Sequence, residues 1–388
     1  SSILSGFADG IHPAENFFAM KVGFVLYDYY PFGGLQEDCL ATALQTAARG
    51  HEVHIFTRTW KGEQPEALHV HLLGKKGWSN LSRNERFFRD LAQALPESRL
   101  DGVVAFNRIP DADIYFAADP CYLERSKRFP LWKRLGVRHR YYSRLERGIF
   151  GSRRPPHTLV LTEREIESFR RYYATPLKCF HLLPPGVARN TESKDTMHAN
   201  RQAVRSELGT DPEAKVALFV GSGFRIKGLD RALRAIRATE QTTAPLEFWV
   251  VGKDKASHFQ RLLNRIQAPV RFLGGRSDVS RFYDAADCLL HPAYSESAGK
   301  VLLEALTHGL PVITTEACGY APYIADAEAG TVIQSPYSQK TLNNTLACFL
   351  KNSSRRERMR ENALRYAASQ DLYSCHETAA AKIESILS

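Results

Sequence analysis

From Lys21 onward the chain alternates short runs of apolar, β-branched and aromatic residues with stretches whose apolar positions recur every three or four residues. KVGFVLYDYY, from Lys21, reads as a buried strand and PFGG as a turn. Leu35, Leu40, Ala43, Leu44 and Ala47 then repeat at helical spacing as far as Arg49, with Gly50 as a C-terminal cap. HEVHIFTR follows as the next strand, so Gly33 and Gly34 stand at the entrance of the helix in a strand–loop–helix–strand unit. LHVHLL, DGVVAFN, DIYFAA, TLVLT and CFHLLPP are further strands, most of them separated by helix-length stretches. That alternation predicts a parallel sheet with helices on both faces.

A polar, charged stretch from Ala188 to Lys215 interrupts the pattern, which then restarts with VALFVGS, a helix from about Gly228, LEFWVVG, VRFLGG, CLLHPAY, LPVITTE and GTVIQS. The expected architecture is therefore two doubly wound α/β domains, residues 20–187 and 216–366, joined by a linker at 188–215 and followed by a closing helix at 367–388. Residues 1–19 precede the first strand and read as a leader or an added segment, lacking the charged start and apolar middle of a secretory signal. In such sheets ligands sit beyond the carboxyl ends of the strands, so a cleft between facing domains is the expected site.

Composition changes this picture little. With 388 residues, 44% hydrophobic and 24% charged, the chain suits an ordinary globular protein of two cores. Seven widely spaced cysteines with no C-x-x-C pair argue against a disulfide framework or a zinc cage and favour a reducing, cytoplasmic setting. No apolar run reaches 18 residues. Charge is more informative, because Tyr122 to Arg154 carries a net +9 of the chain's +10. Its Arg and Lys are interleaved with Tyr122, Phe129, Leu131, Trp132, Leu135, Tyr141, Tyr142, Leu145 and Ile149. That mixture suits an interfacial helix on anionic lipid. Nucleic acid would attract the same charge, but no nucleic-acid motif accompanies it. A plain solvated face is the third reading.

Three places carry candidate chemistry. Gly33 and Gly34 open one helix, where free N–H groups and the helix dipole attract phosphate. VGSGFRIKGLD sets Arg225 and Lys227 beside a glycine-rich turn after a strand, an arrangement suited to a diphosphate. YSESAGKVLLEAL holds Glu296 and Glu304, with small residues Ser297, Ala298 and Gly299 that let backbone approach a ligand. On one helix the two carboxylates would lie roughly 12 Å apart along the axis and about 80° around it, too far to share a proton. With Glu296 before the helix and Glu304 two turns inside it, the spacing matches a sugar nucleotide: one carboxylate on the sugar, the other on the ribose, the helix entrance facing the phosphates. His291 and Asp287 read as a core residue and a strand-start cap.

ESAGKVLLE matches the glutamate–seven residues–glutamate motif of the retaining glycosyltransferases of family 4, whose GT-B fold has two facing Rossmann-like domains. AADCLLHPAYSESAGKVLLEALTHGLPVITT, FVGSGFRIKG and LLPPG resemble that family too. YPFGGLQED, DIYFAADPCY and ASQDLYS narrow the likeness to its members that glucosylate inner-core heptose of lipopolysaccharide. The resemblance implies a hexosyltransferase moving glucose from UDP-glucose onto that heptose, with no metal or other cofactor, peripheral on the inner face of the bacterial inner membrane. It implies that Glu304 binds ribose, that Glu296 contacts the donor sugar, and that Ala298, Gly299, Lys300 and Val301 meet sugar and diphosphate. Lys227 would hold phosphate, Gly33 and Gly34 would shape the phosphate loop, and Asp38 and Asp119 would lie on the acceptor side. Asp119, Glu296 and Lys227 form the implied catalytic set. Two departures stand out: Ile226 fills the place before the phosphate lysine where many members have Arg, with Arg225 one residue earlier, and Asp119 stands where many have His. Rival readings are a GT-B-like sugar-nucleotide 2-epimerase and a non-enzymatic basic protein that binds membrane or nucleic acid.

Overall fold

A computed structural model of the chain describes residues 19–31, 33–240 and 245–388. The leader assigned to residues 1–19 lies, save for Ala19, outside them. The first sheet contains β1 (Lys21–Val25), β2 (Glu52–Thr57), β3 (Leu68–Leu72), β4 (Gly102–Ala105), β5 (Ile114–Ala117), β6 (His157–Val160) and β7 (Phe180–Leu182). The second contains β8 (Lys215–Val220), β9 (Leu246–Val251), β10 (Val270–Gly274), β11 (Cys288–His291), β12 (Val312–Thr315) and β13 (Gly330–Ile333). Each run read as a strand in the sequence forms one.

The strand orders are β3-β2-β1-β4-β5-β6-β7 and β10-β9-β8-β11-β12-β13, parallel throughout. Central strands are buried on both faces, which is why they read as continuous apolar runs rather than alternating ones. Val22, Phe24 and Val25 of β1 and Phe248, Trp249 and Val250 of β9 have no exposed surface. In each sheet the order reverses where the first strand meets the fourth, at β1/β4 and β8/β11. Ligands bind outside the carboxyl ends of strands at such switch points. The helix Gly34–Ala48 starts after β1, the helix Leu229–Thr239 after β8 and the helix Lys300–Thr307 after β11. All three candidate loops therefore fall at a switch point.

Three expectations need correction. The stretch 188–215 is no open linker: it contains the helix Lys194–Glu207, which packs on the helix Val279–Ala285 of the second domain. Arg201 and Arg205 of that helix reach Asp287 at 2.9 and 2.8 Å, while Asp287 also accepts from the Val216 N–H at 2.8 Å. The polar composition that suggested a linker is thus a helix face with part-buried ion pairs. The closing helix expected at 367–388 begins only at Cys375 and runs to Leu387, because the helix Ser353–Ser369 before it ends inside that span and the two are separated where the Asp371 carboxylate accepts from the backbone of Tyr373 and Ser374. The second packs on the Gly34–Ala48 helix, with Arg49 donating to Glu384 at 2.7 Å, so the chain ends against the first domain. Where it recrosses, Val187 N–H donates to Leu372 and Cys375 N–H to Pro185, tying the two interdomain connections together.

The basic segment is likewise broken, into helices Tyr122–Ser126, Leu131–Arg134 and Val137–Phe150, with Pro130 and Gly136 at the breaks. Tyr122, Ile149 and Phe150 are core residues, so no single interfacial helix exists. Exposed apolar surface is confined to the middle, where Leu131, Trp132, Leu135 and Val137 are 74%, 70%, 77% and 65% exposed. Among the described residues no helix is long and apolar enough to cross a membrane.

Candidate active site

Lys227 and Glu296 come together because β8 and β11 are neighbours, with Leu218 opposite Leu289. After β8 the chain turns at Gly221 and Gly223 and enters the Leu229–Thr239 helix at Gly228, whose φ of 79° is left-handed. A Cβ at Gly228 would lie 2.1 Å from the Pro292 carbonyl oxygen, so only glycine lets the two loops approach this closely. The result is an ion pair between the Lys227 ammonium and the Glu296 carboxylate. Burial pushes the Lys227 ammonium down to about 8, against a smaller opposing effect of the nearby Cys318 thiol. His291 is fully buried as expected of a core residue, but its Nε2 lies 3.7 Å from Glu296. Burial, with Lys227 nearby, pushes its imidazole down to about 3, so it is neutral at physiological pH.

Past Glu296 the backbone takes a left-handed turn at Gly299, φ 93°, which caps the helix Lys300–Thr307. Ala298 is buried, and Val301 lies in the first turn. Because the helix begins only at Lys300, Glu304 lies one turn inside it rather than two. Its carboxylate accepts from the Tyr283 hydroxyl at 2.6 Å. Tyr283 is 2% exposed, so Glu304 is pinned by a buried donor. Burial and then the adjacent carboxylate push the phenol far up, keeping it a donor at any ordinary pH.

The first domain meets this loop directly. Asp38, on the Gly34–Ala48 helix and 2% exposed, accepts from the Lys300 ammonium and from His376 Nε2 at 2.8 Å. Burial alone would raise the Asp38 carboxyl, but Lys300 and His376 outweigh it and hold it below the usual range. Arg164 donates to the carbonyls of Glu296 and Ala317 at 3.3 and 3.2 Å, and Arg128 donates to the Tyr294 carbonyl. Gly33 caps the Gly34–Ala48 helix, and a Cβ there would overlap the Gln36 and Tyr30 side chains. A Cβ at Gly34 would meet nothing within 4 Å, so that entrance is open.

Two expected residues stand apart from this cluster. Arg225 is exposed and lines a separate interdomain cavity, not the Lys227–Glu296 contact. Asp119, two residues beyond β5, has a half-exposed side chain 3.6 Å from Arg108, which is itself fixed by buried Glu146 at 2.7 Å and by the Pro120 carbonyl at 2.7 Å. Spacing in the sequence shows no metal cluster, yet the register of β2 and β3 sets ligand atoms of Glu52, His54 and His69 within 4.8 Å of one another. That group lies at the starting ends of its strands, opposite the switch point, and His54 is hydrogen-bonded to Glu52 and His71 at 2.8 and 2.9 Å. Tyr283, His376, Arg108 and Arg164 escaped the sequence reading, since each acts through contacts far along the chain and belongs to no local spacing.

The family model Glycosyltransferase Family 4 matches residues 32–190, and Glycosyl transferases group 1 matches residues 200–366. Lipopolysaccharide glucosyltransferase WaaG of Escherichia coli K12 is 42% identical over 365 residues, covering 93% of this chain and 98% of that protein. The chain belongs to glycosyltransferase family 4. A crystal structure of WaaG, described as a glycosyltransferase involved in lipopolysaccharide biosynthesis, superposes with a TM-score of 0.88 at 41% identity, covering 93% of this chain and 99% of that one. The Anabaena protein Alr3699/HepE shares the fold, with a TM-score of 0.72 at 16% identity over 94% of this chain and 99% of that one. As in other members of family 4, the two Rossmann-like domains facing one cleft make up the GT-B fold implied by the resemblance. Membership makes the chain a sugar-nucleotide-dependent hexosyltransferase.

Proposed function

We propose that this protein transfers glucose, with retention, from UDP-glucose to a heptose of the lipopolysaccharide inner core. The observation that carries the reading is the Lys227–Glu296 pair at the β8/β11 switch point, set directly before a helix entrance with Glu304 pinned one turn inside. In this scheme Glu304 accepts from the ribose hydroxyls and Glu296 from those of the sugar. Lys227, the backbone at Ala298, Gly299 and Val301, and Lys300 meet the diphosphate, and the open entrance at Gly34, shaped by Gly33, adjoins it. Arg225 lies outside this donor set. Asp38 and Asp119 line the acceptor side.

A retaining glycosidase would need two carboxylates about 5 Å apart flanking the bond, an arrangement that a ribose-binding Glu304 cannot supply. Instead the anomeric C–O bond to the diphosphate breaks, and the acceptor hydroxyl oxygen bonds to the same face of the anomeric carbon. Its proton passes to the departing diphosphate oxygen. Catalysis is then chiefly electrostatic, with Lys227 and the helix entrance stabilising charge on the leaving UDP.

A lipid-linked acceptor agrees with the exposed Leu131, Trp132, Leu135 and Val137, which Lys133, Arg134, Arg138 and Arg140 flank. This patch, smaller than the interfacial helix expected from sequence, suits peripheral binding to the anionic inner face of the bacterial inner membrane. Flotation with anionic and neutral vesicles checks it, and equal retention by both refutes it.

The deciding experiment is a screen of UDP-sugars against heptose-terminated core acceptor, reading linkage and anomeric configuration, with and without EDTA. An α-glucoside formed equally in EDTA is expected. Epimerised UDP-sugar in the absence of acceptor, or no UDP binding at millimolar concentration, would overturn the reading.

A further inference from the structure

Beside the Lys227–Glu296 pair, and separate from it, a cavity of about 930 Å³ opens between the domains. Arg125 and Arg128 line it from the first domain, and Arg225, Arg234 and Arg261 from the second. Its one carboxylate, Asp230, is already engaged, accepting from Arg234 at 2.7 Å and from the Tyr294 hydroxyl at 2.9 Å. The other four arginines form no ion pair among the described residues. The Nε of Arg125 is buried without a hydrogen-bond partner there. Burial and then Arg164 hold the Arg128 guanidinium below the usual arginine range, a field that an anion would relieve. Ile226 and Ser295 in the cavity wall are the chain neighbours of Lys227 and Glu296, so the cavity adjoins the end of the site assigned to the transferred sugar. Guanidinium groups present planar pairs of donors that match phosphate and carboxylate oxygens.

We propose that this cavity is an acceptor subsite for an oxyanion, a phosphate or carboxylate borne by the acceptor saccharide close to the hydroxyl that receives the sugar. The proposal rests on the transferase reading above and adds a requirement on the acceptor: it is an anionic oligosaccharide, recognised partly through its charge. The donor's own diphosphate is assigned above to Lys227 and the Gly299 turn, neither of which lines this cavity.

The test compares the wild type with the double variant Arg125→Gln/Arg261→Gln on deacylated core oligosaccharide, in buffer without lipid. Calorimetry with UDP should give the same affinity for both proteins, which also shows that the variant is folded. The KM for the acceptor should rise about tenfold for each arginine removed. Stripping phosphate from the acceptor with aqueous hydrofluoric acid, or reducing its carboxylates, should raise the wild-type KM and narrow the gap to the variant, and whichever treatment does so names the anion. An unchanged KM in the variant, or an equal rise on acceptor stripped of both groups, overturns the subsite while wild-type turnover leaves the transferase reading standing. An effect seen only when anionic vesicles are added assigns these arginines to lipid headgroups and overturns it too. Absence of wild-type transfer to any acceptor overturns the transferase reading, and the subsite with it.

Discussion

Glu304→Ala tests the donor geometry most directly. One oxygen of this carboxylate accepts from buried Tyr283 at 2.6 Å, which fixes the group one turn inside the helix and leaves its remaining lone pairs for a ribose diol. Hydrogen bonds to a charged acceptor contribute about 1.5–3 kcal/mol each. Losing two hydroxyl contacts should therefore weaken UDP binding by roughly 3 kcal/mol, about a hundredfold. Glu304→Gln keeps an oxygen for Tyr283 but loses the charge and turns the other acceptor into an NH2 donor, so a loss of about tenfold is expected. Alanine has a second effect, because it strands the Tyr283 hydroxyl in a site 2% exposed. An unsatisfied buried hydroxyl costs about 1–3 kcal/mol of stability, whereas removing both partners is close to neutral. The double variant Tyr283→Phe/Glu304→Ala should thus recover thermal stability and leave UDP affinity as poor as in Glu304→Ala. Calorimetry with UDP and thermal unfolding of the four proteins separate the two effects. Affinity of Glu304→Ala within about twofold of wild type, or affinity restored by Tyr283→Phe, would refute the ribose role.

Other expectations follow from the same contacts. Lys227 lies near pH 8 without ligand, and a bound diphosphate raises its pKa, so UDP affinity should be level below that pH and fall by up to tenfold per unit above it; a flat profile from pH 7 to 9.5, or the same profile in Lys227→Ala, would count against it. Gly228→Ala combines a left-handed φ of 79° with a Cβ 2.1 Å from the Pro292 oxygen, and should lower stability by about 1–3 kcal/mol and abolish UDP binding by parting the β8 and β11 loops; wild-type denaturant midpoint and affinity would show that the close approach is unimportant. Asp38→Asn removes the charge that holds Lys300 and should tighten UDP binding severalfold while slowing transfer; unchanged UDP affinity would mean that Lys300 stays with Asp38 when the donor binds.

The strands and their order of appearance were legible because parallel strands buried on both faces leave uninterrupted apolar runs, such as LEFWVV at β9. The candidate loops were legible for a related reason: glycines that must adopt left-handed φ or permit close approach, such as Gly228 and Gly299, cluster at the ends of strands. Polarity misled at residues 194–207, where Arg201 and Arg205 are polar in composition but spent on Asp287. It misled again at 122–154, where charge and aromatic content suggested one amphipathic helix although Glu146, among the charges counted, is completely buried and accepts from Arg108 and the Tyr122 N–H. The partners of Asp38 and Glu304 could not be read from spacing, because His376 lies 338 residues from Asp38, and Tyr283 reaches Glu304 from a different helix. Such contacts are set by which helices the sheet order brings to the switch points.

These pairings also alter how the two carboxylates of the cleft can act. Glu296 is paired with Lys227, and Asp38 with Lys300, so the carboxylate assigned to the sugar and the one assigned to the acceptor side are each neutralised by a lysine assigned to phosphate, whereas Glu304 is held by the Tyr283 hydroxyl. Both pairs are partly screened from water, where breaking a charge pair without a replacement costs several kcal/mol. With the donor placed as proposed, a diphosphate would supply the replacement: as each lysine turned to phosphate, its carboxylate would be released beside the sugar or the acceptor side. Lys300 is the more consequential of the two, because its partner belongs to the other domain, and exchanging Asp38 for phosphate changes what joins the two faces of the cleft. On the proposed assignment the cations of this site would have two tasks, holding the donor and, by leaving Glu296 and Asp38, making those groups available only after the donor has arrived. Charge exchange of this kind would order the binding events, since an acceptor hydroxyl arriving first would find the Asp38 carboxylate already engaged by Lys300 and His376.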